Sequence, residues 1–193
     1  MHVADGILPL GYCAAGYAVS LSAVWAFGKA PSPREVSRMG LLAAAVFTVS
    51  FIQFPVAGAS VHLGLWGMLG VLLRGRAFPV VFAALLLQTL LLQHGGLLSL
   101  GINACNMGAG ALAGWAAWSL PGLPAPVRAF VAGFLGALAP AVLMAGEFWL
   151  VGYGKGFFLI TGVYVALAAI EAVATVGIVS FFARSKPEAL AAA

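Results

Sequence analysis

The chain has 193 residues, 63% of them hydrophobic and 7% charged, with a net charge of +4 and a mean hydropathy of +1.09. Soluble domains carry about 25% charged residues, so this composition excludes a soluble globular domain and points to an all-α membrane protein. The positive surplus falls in short connecting segments, where it sets topology; it offers nothing to nucleic acid.

A spanning helix needs about 20 apolar residues. Seven transmembrane helices are predicted along the chain: Leu10 to Phe27, Met39 to Phe54, Ser60 to Leu73, Phe78 to Gln93, Ala104 to Leu120, Val127 to Val151 and Phe157 to Ala183. The third and fourth are short, and the third is expected to tilt or to begin inside a protein-lined cavity. Gly and Pro mark the breaks at Pro31-Ser32-Pro33, Pro55 to Gly58, Gly95-Gly96, Pro121 to Pro126 and Gly152 to Gly156. Cys13 and Cys105 lie in apolar segments without metal-ligand spacing and read as small hydrophobes.

If the spans alternate, Lys29, Arg34, Arg38, Arg74, Arg76, Arg128, Arg184 and Lys186 share one side and only Lys155 lies opposite. The basic side is then cytoplasmic, with the C-terminus on it and the N-terminus outside. His2, His62 and His94, the only histidines, all fall on the external side with Asp5 and Asn103. No cleaved leader is expected, and the bulk of His2 blocks removal of Met1, so a free amine is expected on Met1.

That amine makes MHVADG a chelate. Its ordinary pKa is near 7.7–8.0, so a metal deprotonates it easily. The amide nitrogen and the imidazole Nδ1 of His2 follow, closing a five- and a six-membered ring. Three nitrogens in one plane suit Ni(II) or Cu(II). One planar position stays open, and His62, at the external start of the third span, is the candidate for it; a buried histidine in a bundle is a functional suspect. The plainer alternatives are a disordered terminus for His2 and a structural bond to a loop carbonyl for His62. His94 reads as a loop-capping residue rather than a ligand. Asn103 and Asn106 can either hold the second ring nitrogen of a ligating histidine or cap the next helix.

Two carboxylates fall inside predicted spans. Glu147 lies near an external end. Glu171 lies near mid-membrane, where an ionised group is expensive; it reads as protonated or bonded to Ser, Thr or backbone groups of a neighbour, with a proton or cation site as the alternative. Its depth puts it about 15 Å, half a bilayer, from the histidines. Small residues recur at Ala129, Gly133, Ala137, Ala141 and Ala145, at Gly40, Ala44 and Thr48, and at Gly110 and Gly114. Such stripes let helices pack closely in lipid, and the Gly40 stripe is the first choice for a partner-facing surface. No Walker A sequence, HExxH or catalytic triad is present, so the chain has no ATPase of its own and does not read as an enzyme.

MHVADGILP, GASVHLGLWGMLGVLL, FPVVFAALLLQTLLLQHGGLLSLGINACNMG and IEAVATVGIVSFF together resemble the CbiM/NikM family, the cobalt/nickel substrate-specific (S) components of energy-coupling factor (ECF) transporters. The resemblance covers nearly the whole chain. It implies one S-component domain over residues 1–193, with a metal-binding segment 1–9 inserted into the bundle and a cytoplasmic tail 184–193. It implies Ni(II) or Co(II) as transported substrate, held by the Met1 amine, the His2 amide and imidazole nitrogens and His62. Asp5, His94, Asn103 and Asn106 are the further loop candidates, and Glu171 matches the final-helix Glu. The partners implied are a transmembrane coupling (T) protein, two ATPase subunits, often a small accessory membrane protein, and the bilayer of the inner cell membrane. Release is expected to follow a rigid-body toppling of the subunit. Asp5 departs from the Glu of many cobalt-type members, whereas QHGG leans toward the cobalt branch.

Three rivals follow from the same residues. A stand-alone permease or channel would move metal without ATPase subunits. An intramembrane enzyme would use Glu171 with a histidine, and a structural subunit would hold no metal.

Overall fold

The computed structural model of the chain describes residues 2–56, 59–153 and 156–191. Met1, Lys155 and Gly58, each invoked above, lie outside the described residues. Helix α1 runs Leu10–Phe27 and α2 Pro33–Val49. A two-stranded hairpin, β1 Gln53–Val56 and β2 Ala59–His62, leads into α3, Trp66–Leu73. A 3-10 turn at Arg74–Arg76 precedes α4, Ala77–Leu92. Then come α5 Leu100–Trp118, α6 Ala125–Leu150, α7 Phe157–Ser185 and a short α8, Glu188–Ala191.

Two boundaries correct the sequence reading. The second helix starts at Pro33 instead of Met39, because Ser32 and Glu35 form a capping box: Glu35 N–H donates to Ser32 Oγ (3.3 Å) and Ser32 N–H to Glu35 Oε2 (2.7 Å). Pro33 lacks an N–H where the first helical turn needs none. The third span is not a span, and the all-α expectation fails there. Ser60 to His62 is strand, antiparallel to β1 with Gln53 opposite His62. The eight residues of α3 rise only about 12 Å, well short of a hydrocarbon core of roughly 30 Å.

All eight residues of α3 are buried, and the helix packs against α5 and α6. Glycine makes this possible. A Cβ on Gly70 would meet the Ala111 carbonyl, and one on Gly67 the Ala132 carbonyl. A half-length helix can end in the bundle only where protein surrounds its ends. Among the described residues, four helical stretches are long and apolar enough to cross a bilayer by length and composition: Leu10–Phe27, Ala125–Leu150, Phe157–Ser185, and Trp66–Leu92 when its two halves are counted as one. At Arg74 (φ 53°, ψ −131°) the helical path breaks, so α3 and α4 turn back on each other.

Contacts at the two ends of the bundle follow the charge pattern. Arg76 donates to the Phe27 (3.2 Å) and Lys29 (2.6 Å) carbonyls and pairs with Glu35 (3.4 Å). Arg38 donates to the Leu72 carbonyl (2.6 Å) and to that of Ala189 in α8, so the expected tail is partly helical and packs back on the bundle. Arg128 donates to the Trp118 carbonyl at 3.0 Å. The described histidines gather at the other end. The α6 stripe from Ala129 to Ala145 is buried, with Gly133 against Ala172 and Thr175 of α7. Gly40, Ala44 and Thr48 of α2 are exposed.

Candidate metal centre

Three segments far apart in sequence converge at the histidine end. The N-terminal segment is strapped to the start of α5. Val3 N–H donates to Asn103 Oδ1 at 2.8 Å, and Asn103 Nδ2 donates back to the Val3 carbonyl at 2.9 Å. Ser99 Oγ also donates to that carbonyl at 2.7 Å. Asp5 accepts from the backbone N–H groups of Ser99 (2.9 Å) and Leu98 (3.2 Å) and lies 3.0 Å from Ser99 Oγ. A carboxylate bonded at the N-cap Ser99, just ahead of the first turn, also complements the α5 dipole. Gly96 is obligatory here, because a Cβ would overlap the Asp5 carboxylate.

This strap carries His2 to the end of β2. Nε2 of His2 lies 3.0 Å from Nε2 of His62, and the rings are nearly parallel, 18° apart. The contact is an N–H···N hydrogen bond, and it brings the two rings close enough for nitrogens of both to reach one ion at about 2.1 Å. The other ring nitrogen of His62, Nδ1, is 3.1 Å from the Leu63 carbonyl. That carbonyl, rather than an asparagine, sets the tautomer that leaves Nε2 free to bind. His94 completes the cluster: each histidine offers a ligand atom, all within 4.8 Å of one another. His62 is 3% exposed. Burial pushes its pKa down to about 3 and that of His94 to about 4, and holds His2 well below the ordinary imidazole value. Each neutral imidazole keeps one ring N–H and one lone pair; with Nδ1–H of His62 on the Leu63 carbonyl, Nε2–H of His2 faces the lone pair of His62 Nε2, and a cation would take the place of that proton.

Glu171 of α7 closes the arrangement from below. Its Oε1 accepts from Gly64 N–H at 2.6 Å and its Oε2 from Leu65 N–H at 2.9 Å. Leu65 is the N-cap of α3 in a left-handed conformation (φ 52°). The carboxylate thus satisfies two N–H groups that the helix start leaves without internal partners.

The family model described as "Cobalt uptake substrate-specific transmembrane region" matches residues 2–189. The chain belongs to the CbiM family. It is 34% identical to the cobalt transport protein CbiM of Sorangium cellulosum, over 98% of this chain and 94% of that one. It is 35% identical to the CbiM of Geobacter sulfurreducens over 99% of this chain, and spans 62% of that longer protein. A relative from Archaeoglobus fulgidus, provisionally named a fused nickel transport protein NikMN, shares 28% identity over 98% of this chain and 68% of its own length. A crystal structure described as a transition metal transporter has the same fold, with a TM-score of 0.83 at 24% identity over 95% of this chain and 93% of that one. As a CbiM-family protein with several apolar helices long enough to cross a bilayer, this is a multi-pass membrane protein.

In this CbiM-family chain the residues singled out from sequence fall into three groups. His2, His62 and His94 come together, and His94 does so against its reading as a loop cap. Asp5 and Asn103 hold the N-terminal segment; Asn103 bonds Val3 and not a histidine. Asn106 is turned elsewhere, its Nδ2 donating to Glu147 Oε2 at 3.0 Å. Glu171 takes the backbone-bonded alternative, but the expected half-bilayer separation from the histidines is wrong. The end of β2 is buried at Val61 and His62, and the chain beyond it brings Gly64, two residues past His62, onto the carboxylate.

Ser99, Gly64 and Leu65 carried no sequence signal beyond their place beside a helix start, because their partners lie 94 to 107 residues away. Removing Glu171 strands two buried N–H groups, each costing about 1–3 kcal/mol. Glu171→Ala is therefore expected to lower thermal stability and to weaken metal binding about tenfold or more. Glu171→Gln, which keeps one acceptor, is expected to fall between it and wild type. Calorimetric metal titration beside a melting curve checks both; wild-type affinity in Glu171→Ala would separate the carboxylate from the site.

Proposed function

We propose that this chain is the substrate-binding subunit of an ATP-driven ECF-type transporter, capturing Ni(II) or Co(II) from outside the cell. The observation that carries the reading is the 3.0 Å approach of His2 to His62 in a segment anchored by Val3 and Asp5. The Met1 amine, the His2 amide nitrogen and the His2 imidazole form three corners of a plane, and His62 Nε2 is the fourth. In this structure His2 turns Nε2, not Nδ1, toward His62; forming the six-membered ring requires rotation of the imidazole about its Cβ–Cγ bond. The deprotonated amide supplies a strong in-plane donor, and tetragonal nitrogen coordination favours ions with a planar preference.

The clustering of basic contacts at the far end supports an outward N-terminus and a cytoplasmic C-terminus. The exposed Gly40–Ala44–Thr48 face suits close packing on a helix of the coupling protein. Two ATPase subunits supply the work, and inward release requires His62 to separate from the N-terminal chelate. The deciding experiment is metal analysis of the protein purified from the inner membrane with an untagged Met1. Stoichiometric Ni(II) or Co(II) is expected, and the Ni(II) form should show the absorption of a planar diamagnetic complex. Metal-free protein that takes up neither ion on titration would refute the reading.

A further inference from the structure

The planar reading uses four nitrogens, and the structure holds a fifth. His94 presents a ring nitrogen within 4.8 Å of the donor atoms of His2 and His62. Its ring meets theirs edge-on, at 88° and 72°, with centroids 4.3 and 5.0 Å away. The His94 Nε2 is buried and has no hydrogen-bond partner among the described residues. A buried polar nitrogen without a partner calls for an explanation, and a loop-capping role does not supply one. The capping is done by the backbone: His94 N–H donates to the Gln88 carbonyl (3.2 Å) and Thr89 Oγ1 to the His94 carbonyl (3.3 Å). These bonds, with Gln93 at φ 52°, fix where the ring stands and leave its nitrogens uncommitted.

We infer that His94 is an apical donor to the captured ion and biases the site toward Co(II). The inference rests on the planar reading above. With four corners of the plane filled, a further nitrogen can reach the ion only from above or below. Donors about 2.1 Å from one ion lie roughly 3.0–4.2 Å apart, from right-angled to opposite positions, so the cluster needs only a small contraction to close on the ion. The two candidate ions answer an apical nitrogen differently. Planar Ni(II) is low-spin d8, with the orbital along the apical axis filled, and gains little from a fifth donor. Low-spin Co(II) is d7, with that orbital half-filled, and bonds along the axis. His94 therefore adds affinity for Co(II) that Ni(II) does not share.

The test uses the full-length chain with an untagged start, loaded with Co(II) alone or Ni(II) alone, as wild type, His94→Ala and His94→Gln. The expected result is a loss of Co(II) affinity of about tenfold or more in both variants, against a change of less than about threefold for Ni(II). The wild-type Co(II) EPR spectrum should carry splitting from an apical nitrogen that both variants lose. Glutamine keeps polarity and approximate length, so a purely structural His94 would be rescued by it. Folded variants with an unchanged Co(II) spectrum and an unchanged Co(II)/Ni(II) ratio would overturn the inference while leaving the planar reading intact. A wild type that binds neither ion would overturn both.

Discussion

His62→Ala is expected to weaken Ni(II) or Co(II) binding by about 100-fold or more, close to 3 kcal/mol, with the fold preserved. In the proposed site His62 is the single in-plane donor that comes from outside the N-terminal chelate. Its ring is buried, its Nδ1 faces the Leu63 carbonyl, and its Nε2 already faces His2. Losing it leaves three donors on a short peptide segment and a void where the fourth stood. The backbone around it does not depend on the imidazole: the β1–β2 pairing and the Glu171 bonds to Gly64 and Leu65 remain. Equilibrium dialysis with either ion, beside circular dichroism and a melting curve, reads the effect. Wild-type titration would remove His62 from the coordination sphere.

Placing two or three residues ahead of Met1 is expected to abolish binding just as completely. The amine becomes an amide, whose nitrogen lone pair is delocalised into the carbonyl, and the first five-membered ring is lost. The segment cannot slide to bring a new amine into place. Val3 is held on both its N–H and its carbonyl by Asn103 and Ser99, and Asp5 is held by the start of α5. A cleavable extension gives the cleanest comparison: no capture before cleavage, full capture once the bare Met1 is exposed. Unchanged affinity in the extended form would show that the cluster binds metal through imidazoles alone.

Much of the fold was legible because apolar runs and charges are local properties. The ends of α1, α4, α6 and α7 fell within two residues of the expected ones. The α2 start was missed although its signal, SPRE after a proline, was present; the two prolines were read as a break when one of them begins the helix. The hairpin was missed because Pro55 to Gly58 was read as a break between two helices, and a run as short as Ser60 to His62 cannot be told from the beginning of a helix by hydropathy alone.

The sequence by itself determined the membrane class, the sorting of basic residues and histidines to opposite ends, and the donor chemistry available at positions 2 and 62. Each depends on composition, on run length or on the intrinsic donor chemistry of a residue. Only the tertiary structure decided that α3 is a buried half-helix, that Glu171 supports the loop carrying His62, and that His94 stands beside His2 and His62 with an unbonded Nε2. Those facts rest on contacts between residues 32 to 107 positions apart. Close approach of glycine-lined helices creates them, and no local pattern in the chain encodes which distant backbone N–H a carboxylate will meet.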